Sequence, residues 1–311
     1  MKKLLSILII VFLITGCNST SLSTDDSKPT IIATIFPQYD FLKHICGDVA
    51  NVELLISPGT ESHNFEPSPS DIIKISKCDL FVYTGGESDA WVKTILDTPD
   101  MKNVKSIALS DIIPLITHDD LNIFQTDHHD HVDHKEQFDE HVWTSPVNAV
   151  KICDALCEKM CSIDKNNESV YKTNCLKYTE EIKNLDNDIR KIISNSKRDY
   201  IIFADRFPIS YFTNEYNLRY YAAFPGCMAE TEPSPSTLAS LINKVNEENI
   251  PVVFYREFSD QKVADTICEA TNAKKLLFHS AHNVTAEEFK HNITYVQIME
   301  SNIKNLQEAL N

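Results

Sequence analysis

Glycine is scarce in this chain, and its scarcity excludes several familiar binding sites. The 311 residues include only six glycines, and no glycine-rich phosphate loop is present. The sequence also contains neither the HExxH pair of zinc proteases nor the GxSxG turn of serine hydrolases. After the N-terminal region, no apolar run approaches the roughly 20 residues that span a bilayer. A binding or catalytic site in this chain must therefore use other side chains, and histidines and carboxylates are plentiful.

The start of the chain has the pattern of a secretory leader. In residues 1–16, two lysines precede an apolar run at 4–14, which is too short for a membrane helix. The run leads into Ile-Thr-Gly-Cys, which resembles the lipobox of bacterial lipoproteins. The resemblance implies cleavage before Cys17, lipidation of its thiol and anchoring to the outer face of the cell membrane; an ordinary cleaved signal peptide is the alternative. Residues 17–29 are polar and lack aromatics, so we expect a flexible tether.

Acidic residues outnumber basic ones and concentrate with histidines in one tract. The formal net charge of −16 argues against nucleic acid or anionic lipid as a partner, since both are polyanions. Residues 118–137 show no apolar periodicity and hold five histidines among aspartates: His118, His128, His129, His131 and His134. Imidazole and carboxylate both ligate divalent first-row ions, so we predict an auxiliary metal-capturing loop. A solvated acidic loop that binds nothing is the alternative.

The cysteines permit more than one interpretation. Eight of the nine remain when Cys17 is set aside, and an even number outside the cytoplasm favours disulfides. Most of the eight, however, lie inside apolar periodic segments. Cys153, Cys157 and Cys161 recur at every fourth residue and therefore share one helix face. This spacing is more typical of core packing than of a thiolate metal site, and the disulfide state stays open.

Apolar runs alternate with helical patterns through the rest of the chain. Predicted strands fall at 30–35, 52–56, 80–83, 104–109, 200–203, 219–223, 251–255 and 274–278. Predicted helices fall at 39–46, 69–77, 87–96, 209–216, 236–248, 260–271 and 295–310. This alternation indicates an α/β fold with parallel sheets flanked by helices. A charged amphipathic segment without glycine or proline predicts one stiff helix of about 40 Å. We therefore expect an N-terminal lobe at 30–165, a linking helix at 166–196 and a C-terminal lobe at 197–311.

Several histidines fall where parallel sheets bind ligands, beyond the carboxyl ends of strands. His63 lies in a proline-restricted loop after the strand at 52–56, and His141 directly precedes a Thr-Ser-Pro helix start. His279 ends the strand at 274–278, and His282 follows three residues later. Imidazoles presented from both lobes would form a site that favours zinc. A histidine of this kind is, alternatively, merely exposed or held by a structural hydrogen bond.

The segments around these histidines resemble one family in combination. HNFEPSPSD, DEHVWTSP, the His/Asp loop, the long helix and AETEPSPSTLASLINKVNEENIPVVF are similar to the zinc/manganese solute-binding lipoproteins of bacterial ABC importers, the ZnuA/TroA/AdcA type of the cluster A metal-binding family. The resemblance covers nearly everything from about residue 30 to residue 310. It implies two α/β lobes with a spanning helix, one metal ion in the cleft, and delivery of that ion to a membrane permease.

Position by position, the resemblance implies that His63 and His141 are the ligands of the N-terminal lobe. The family's third ligand, usually histidine or glutamate, opens a segment that here reads RFPISYFTNEYNL. Arg206 takes this position, and a guanidinium stays protonated and cannot ligate a cation. Its neighbour Asp205 could substitute as a ligand, or Arg206 could pair with a carboxylate beside the ligands.

For the C-terminal lobe, the resemblance matches the family's fourth ligand to His279. His282 competes with His279 as the donor from this lobe. We expect Asp205, Glu257 or water to complete the coordination shell. A site that has lost metal binding altogether is the remaining alternative at this point.

The expected function is to capture Zn²⁺ and deliver it to an ABC permease and the ATPase of that permease. Mn²⁺ is a less suitable cargo, because it is less suited to imidazole donors. We expect an extracytoplasmic, lipid-anchored monomer without enzymatic activity.

A zinc hydrolase is one alternative, because three histidines and a water describe a catalytic site; Glu257 or Asp205 would then act as the base. A metal-binding surface adhesin is another alternative, which acidity and lipid anchoring permit. Turnover by zinc-loaded protein, or metal-independent binding to host matrix, would distinguish them.

Overall fold

The computed structural model describes residues 28–63, 65–117, 138–224 and 233–311. Three sequence-based predictions fall outside these ranges: the leader with Cys17, residues 17–27 of the tether, and the auxiliary loop. These predictions therefore stay predictions, and Cys227 also lies outside the described ranges. Within the described ranges, no helix is long and apolar enough to cross a membrane.

Most strands of the described residues belong to two parallel sheets. In chain order the strands are β1 (Thr30–Ala33), β2 (Asn51–Leu54), β3 (Leu80–Tyr83), β4 (Ser106–Ala108), β5 (Ile116–Thr117), β6 (Phe138–Asp139), β7 (Tyr200–Phe203), β8 (Arg219–Ala222), β9 (Val252–Tyr255) and β10 (Lys274–Leu277). The sheet of the N-terminal lobe has the order β2-β1-β3-β4, and the sheet of the C-terminal lobe has the order β10-β9-β7-β8. Neighbouring strands in each sheet are parallel, as predicted.

Helices cover both sheets, and one of them runs along both lobes. They are α1 (Phe36–Cys46), α2 (Pro69–Lys77), α3 (Ala90–Leu96), α4 (Pro146–Ile163), α5 (Glu168–Ser194), α6 (Ser210–Glu215), α7 (Pro235–Glu247), α8 (Lys262–Ala270), α9 (Ala286–Lys290) and α10 (Tyr295–Leu310). The predicted linking helix is α5, with 27 residues. It packs on α1 and α4 of the N-terminal lobe and on α10 of the C-terminal lobe. The five-residue helix α9 and the two-residue strands β5 and β6 were not predicted, because little more than one helical turn, or two strand residues, shows too little periodicity.

Three helices begin at the same Ser-Pro signal. Ser68, Ser145 and Ser234 cap α2, α4 and α7, and each side-chain oxygen accepts a hydrogen bond from the backbone N–H three residues later. The proline that follows each serine lacks an N–H, so it leaves no donor unsatisfied in the first turn. The capping residue Ser145 lies four residues after His141, so this histidine stands at an ordered helix entry.

Strand alternation distributes the apolar side chains over three cores. In β1, Ile31 faces the main core while Ile32 faces a smaller core beneath α2 and α3. In β7, Ile201 faces the main core while Ile202 faces a smaller core beneath α7 and α8. The main core is continuous and contains one face of each sheet together with the buried side of α5. The two lobes are therefore joined by apolar packing as well as by the chain.

A buried carboxylate links three helices at the lobe boundary. Asp40 of α1 accepts hydrogen bonds from the Tyr178 hydroxyl of α5 and, at 3.2 Å, from the Tyr295 backbone N–H at the start of α10. Burial raises the pKa of Asp40 above its usual range, although its hydrogen bonds and nearby His44 oppose the rise. The start of a helix favours a carboxylate, so this contact also fixes where α10 meets the N-terminal lobe.

The helical cysteines pack in the interior, as their spacing indicates. Cys153 and Cys157 of α4 are buried, and Cys175 of α5 donates through its thiol to the Cys153 carbonyl at 3.6 Å. Burial raises the pKa values of all three thiols, which keeps them protonated. The described cysteines form no disulfide, and none of them belongs to a described group that could hold a metal.

The shared core predicts that the two lobes unfold together. Truncation of fully buried Ile182 on α5 to alanine leaves a cavity in the main core and should lower the free energy of unfolding by about 2–5 kcal/mol. Urea denaturation followed by far-UV circular dichroism should still show a single transition. Leu176→Ala on the same helix is the control, because Leu176 is 70% exposed and should change stability by about 0.5 kcal/mol or less. Two separated transitions in the wild-type protein would contradict a common core.

Candidate metal centre

Three histidines from three separate loops meet in the cleft between the lobes. Each of His63, His141 and His282 offers a nitrogen, and these nitrogens all lie within 4.8 Å of one another. The ring centroids are 5.6 Å apart for His63 and His141, 4.8 Å for His63 and His282, and 5.0 Å for His141 and His282. Two nitrogens on one tetrahedral zinc ion lie about 3.4 Å apart, so small ring rotations would bring all three onto one ion.

The imidazole of His141 is oriented by a buried aspartate. Asp139 at the end of β6 accepts hydrogen bonds at 2.8 Å from both the backbone N–H and the Nδ1–H of His141. Burial raises the pKa of Asp139, but the hydrogen bonds and charge of His141 outweigh it, and the net pKa lies below the usual range. A carboxylate that accepts the Nδ1–H leaves the lone pair of Nε2 available to a metal. Zinc-bound histidines are commonly supported by such a hydrogen bond.

The strand pair β5–β6 places Asp139 and His141 in the cleft. Ile116 of β5 pairs with Asp139 in antiparallel register. Tyr211 of α6 holds the pair from the C-terminal lobe, because its hydroxyl accepts from the Ile116 N–H at 3.0 Å and donates to the Asp139 carbonyl at 3.1 Å. The loop that carries His141 in the N-terminal lobe is thus fastened by a side chain of the C-terminal lobe.

His63 is positioned through a serine and a glutamate. Its Nδ1 lies 2.9 Å from the Ser88 hydroxyl oxygen, and the Ser88 N–H donates to Glu140 at 2.9 Å. The Glu140 carboxylate lies directly against Gly86, where a Cβ atom would collide with it. Gly86 is therefore needed because the Glu140 side chain packs against its backbone, where any larger residue would collide with it.

A tight turn after β10 points His282 into the cleft. Ala281, between His279 and His282, has a φ of 60°, in the left-handed region that residues other than glycine rarely adopt. The Trp143 indole N–H donates to the Ser280 carbonyl at 2.8 Å, and the Ser280 hydroxyl accepts from the His282 N–H at 3.2 Å. Across the cleft, the Ser62 hydroxyl lies 2.8 Å from His282 Nε2.

His279 and Glu257 support this turn instead of joining the three-histidine group. Glu257 accepts hydrogen bonds from the Ser280 hydroxyl and, at 2.8 Å, from the Ser280 N–H. The Nδ1 of His279 accepts from the Ala281 N–H at 2.9 Å. The nitrogens that lie within 4.8 Å of one another therefore include one of His282 and none of His279, although the sequence favours His279. A strand-end rule selects His279, but the left-handed turn carries the later histidine into the cleft.

Asp205 and Arg206 follow β7 and lie beside a second arginine. Asp205 Oδ1 accepts from the Arg206 N–H at 2.7 Å and lies 3.5 Å from Arg256 Nε. Arg256 also reaches Glu61 at 3.4 Å, so it connects the two lobes. Among the described residues, no carboxylate joins the three imidazoles in the group, and neither Asp205 nor Glu257 occupies the fourth position there.

His282 is held in the neutral form that a metal requires. Its pKa lies well below 6.5, first because the ring is buried and then because His63, His141 and Arg256 add positive charge nearby. A neutral imidazole retains the lone pair that binds zinc, so His282 needs to lose no proton on binding near neutral pH.

The side chains that orient the three histidines are only weakly indicated by the sequence. They are Ser62, Ser88, Asp139 and Trp143, and three of them lie within two positions of a candidate histidine. For Ser62, Asp139 and Trp143, closeness in sequence to a candidate histidine indicates a possible contact. Ser88 is 25 residues from His63, so the sequence gives no such indication for it.

The depressed pKa of His282 predicts how the stability of the metal-free protein depends on pH. Below about pH 6.5 the unfolded chain protonates this histidine before the folded chain does, so the free energy of unfolding falls as pH drops. His282→Gln should flatten the slope between pH 7 and pH 5 by up to about 1.4 kcal/mol per pH unit. Urea denaturation at several pH values in the presence of a chelator measures this slope. The exposed control His291→Gln should keep the wild-type slope, and an unchanged slope in His282→Gln would contradict the assignment.

The chain matches one protein family along almost its whole length. The family model described as the zinc-uptake complex component A, periplasmic (ZnuA) matches residues 31–309. The chain is similar to the zinc-binding lipoprotein AdcA of Streptococcus pneumoniae, with 32% identity over 99% of this chain and 61% of that protein. It is also similar to the high-affinity zinc uptake system protein ZnuA of Bacillus subtilis, with 30% identity over 96% of this chain and 94% of that protein.

A solved structure agrees with these sequence relatives. The crystal structure of the Zn(II)-bound ZnuA-like domain of Streptococcus pneumoniae AdcA superposes with a TM-score of 0.76 at 30% identity, covering 91% of this chain and 99% of that one. The chain thus spans about three-fifths of the full AdcA protein and nearly all of its ZnuA-like domain. The predicted α/β class is confirmed, and the chain belongs to the ZnuA family of zinc-uptake components.

Proposed function

We propose that this protein captures Zn²⁺ outside the cytoplasm and delivers it to the permease and ATPase of an ABC importer. The observation that carries the proposal is the convergence of His63, His141 and His282 from both lobes. Three nitrogen donors suit zinc better than manganese, which prefers oxygen donors. The relatives named as zinc-binding or zinc-uptake proteins support the same cargo.

The proposed location follows from the leader pattern and from one relative. We propose that Cys17 carries the lipid anchor on the outer face of the cell membrane, and the similar AdcA protein is named a lipoprotein. The proposed division is a signal peptide at 1–16, a tether to residue 29, lobes at 30–165 and 197–311, and the linking helix between them. We propose a monomer, because one chain supplies all three donors.

Loading and release follow from the separation of the donors. His63, His141 and His282 belong to three loops, so movement of any one loop by the permease would open the coordination shell. The continuous core opposes large rotation of one lobe against the other. We therefore place the mobile step in the loops, with the turn that carries His282 as the element from the C-terminal lobe.

The carboxylates near the site favour a carrier over a hydrolase. A hydrolase needs a general base aimed at a metal-bound water. Glu257 is occupied by two hydrogen bonds from Ser280, and Asp205 by the Arg206 N–H and by Arg256. Membership of a solute-binding family supports the same conclusion. No described feature specifically favours the adhesin alternative.

The ligand assignment predicts different outcomes for neighbouring histidines. His63→Ala, His141→Ala and His282→Ala each remove a donor and should weaken zinc binding by at least about a hundredfold. His279→Ala should weaken it much less, because His279 supports the turn and donates no lone pair to the group. Calorimetric titration with a competing chelator measures these affinities, and His291→Ala on the surface is the control. Loss of the tight site in His279→Ala with retention in His282→Ala would reverse the assignment.

The auxiliary loop predicts an effect on uptake that is separate from the tight site. Deletion of residues 118–134 removes His118, His128, His129, His131 and His134, which we propose raise the local zinc concentration. Cells carrying the deletion should take up zinc more slowly when zinc is scarce, whereas calorimetry should still show one tight site. Disappearance of the tight site would show that the loop itself holds the transported ion.

A further inference from the structure

One buried amide connects the loop that carries His63 to the turn that carries His282. Asn283 directly follows His282 and is only 3% exposed. Its Nδ2 donates to the Ser57 carbonyl at 3.0 Å and to the Thr60 carbonyl at 2.9 Å. A side-chain amide of the C-terminal lobe thus uses both of its N–H groups on the backbone of the N-terminal lobe.

The segment that receives these hydrogen bonds is a tight turn. The Thr60 N–H donates to the Ser57 carbonyl at 3.2 Å, which closes a four-residue turn with Pro58 and Gly59 at its centre. Gly59 has a φ of 81°, and proline followed by glycine at positive φ is the pattern of a type II turn. The Gly59 N–H donates to the Val284 carbonyl at 2.7 Å. This bond and the two bonds from Nδ2 together form one interlobe contact.

The interlobe contact lies next to two of the three zinc donors. Asn283 follows His282, and the turn ends three residues before His63. Between them, the Ser62 hydroxyl lies 2.8 Å from His282 Nε2. A zinc ion held by both histidines is released when the His63 loop and the His282 turn move apart. The interlobe contact opposes that movement, because its buried donors and acceptors would lose their partners.

We propose that Asn283 is a positioning residue that sets how long the protein holds zinc. Its amide keeps the His63 loop against the His282 turn, and displacement of the amide opens the coordination shell. This inference rests on the proposed function, because it requires zinc on the three histidines. The turn is exposed at residues 57, 59 and 60, so a permease that contacts it can break the interlobe contact and receive the ion.

The rate of zinc release from Asn283→Ala tests the proposal. Stopped-flow mixing of the zinc-loaded protein with an excess of a fluorescent chelator measures the dissociation rate. Competition with the same chelator at equilibrium measures the affinity, and the two values together give the association rate. Dissociation should be about tenfold faster or more, because two buried hydrogen bonds are lost, whereas association should change much less. A role confined to folding stability would not divide the effect in this way.

A spectrum and a second variant separate this effect from misfolding. Asn283→Ala should still bind one equivalent of zinc, and with cobalt(II) it should show the absorption bands of the wild-type protein, because all three imidazoles remain. Gly59→Ala disturbs the same contact from the N-terminal lobe. An added Cβ there meets no atom within 4 Å, but alanine resists a φ of 81°. This variant should also release zinc several-fold faster.

The matched control is Asn305→Ala on α10. The Asn305 amide donates to the carbonyl of Leu277 at 2.8 Å, at the end of β10, so its contact stays within the C-terminal lobe. Asn305→Ala should release zinc at the wild-type rate.

Four outcomes would contradict the proposal, and they differ in what they leave standing. Release at the wild-type rate by Asn283→Ala or Gly59→Ala, or equal acceleration in Asn305→Ala, would overturn the role of Asn283 and leave the zinc carrier intact. Loss of the tight zinc site or of the cobalt bands in Asn283→Ala would show that the interlobe contact assembles the site instead of setting its lifetime. Failure of the wild-type protein to bind zinc would overturn the proposed function itself.

Discussion

The continuous apolar core between the two sheets is the constraint on which the rest of the structure depends. One face of each sheet packs into it, and α5 lies along it with its buried side chains. Because interiors are close-packed, this arrangement holds the carboxyl ends of both sheets at a constant separation. Loops of only a few residues can then bring His63 and His141 to His282. Without that packing, each lobe would carry an incomplete set of donors.

Within the cleft, hydrogen bonds orient the three imidazole rings. Asp139 holds His141, Ser88 contacts His63, and Ser62 contacts His282. Burial and the mutual positive potential of the rings keep His282 neutral. The burial that lowers the pKa of His282 favours its neutral, metal-binding form.

The periodic parts of the chain could be predicted, and the irregular parts could not. The helices α2 and α10 and the strands β3 and β7 have the predicted bounds, because each combines clear periodicity with a clear start or end. The predictions for His63 and His141 rested on the proline-restricted loop and the Ser145 cap. The choice between His279 and His282 depended on the left-handed conformation of Ala281, which alanine does not signal, since it strongly prefers negative φ.

The sequence by itself determined the α/β class, the long α5, and the presence of histidines at loop positions beyond the strands. These features follow from local periodicity, from capping residues and from residue chemistry, all of which act over a few neighbouring positions. Only the tertiary structure decided which histidine of the C-terminal lobe faces the others, which side chains orient them, and that Asn283 joins loops of the two lobes. Those outcomes depend on contacts between residues as far apart in the sequence as Ser62 and His282. Local sequence patterns cannot indicate such contacts, because they form only when the whole chain has folded.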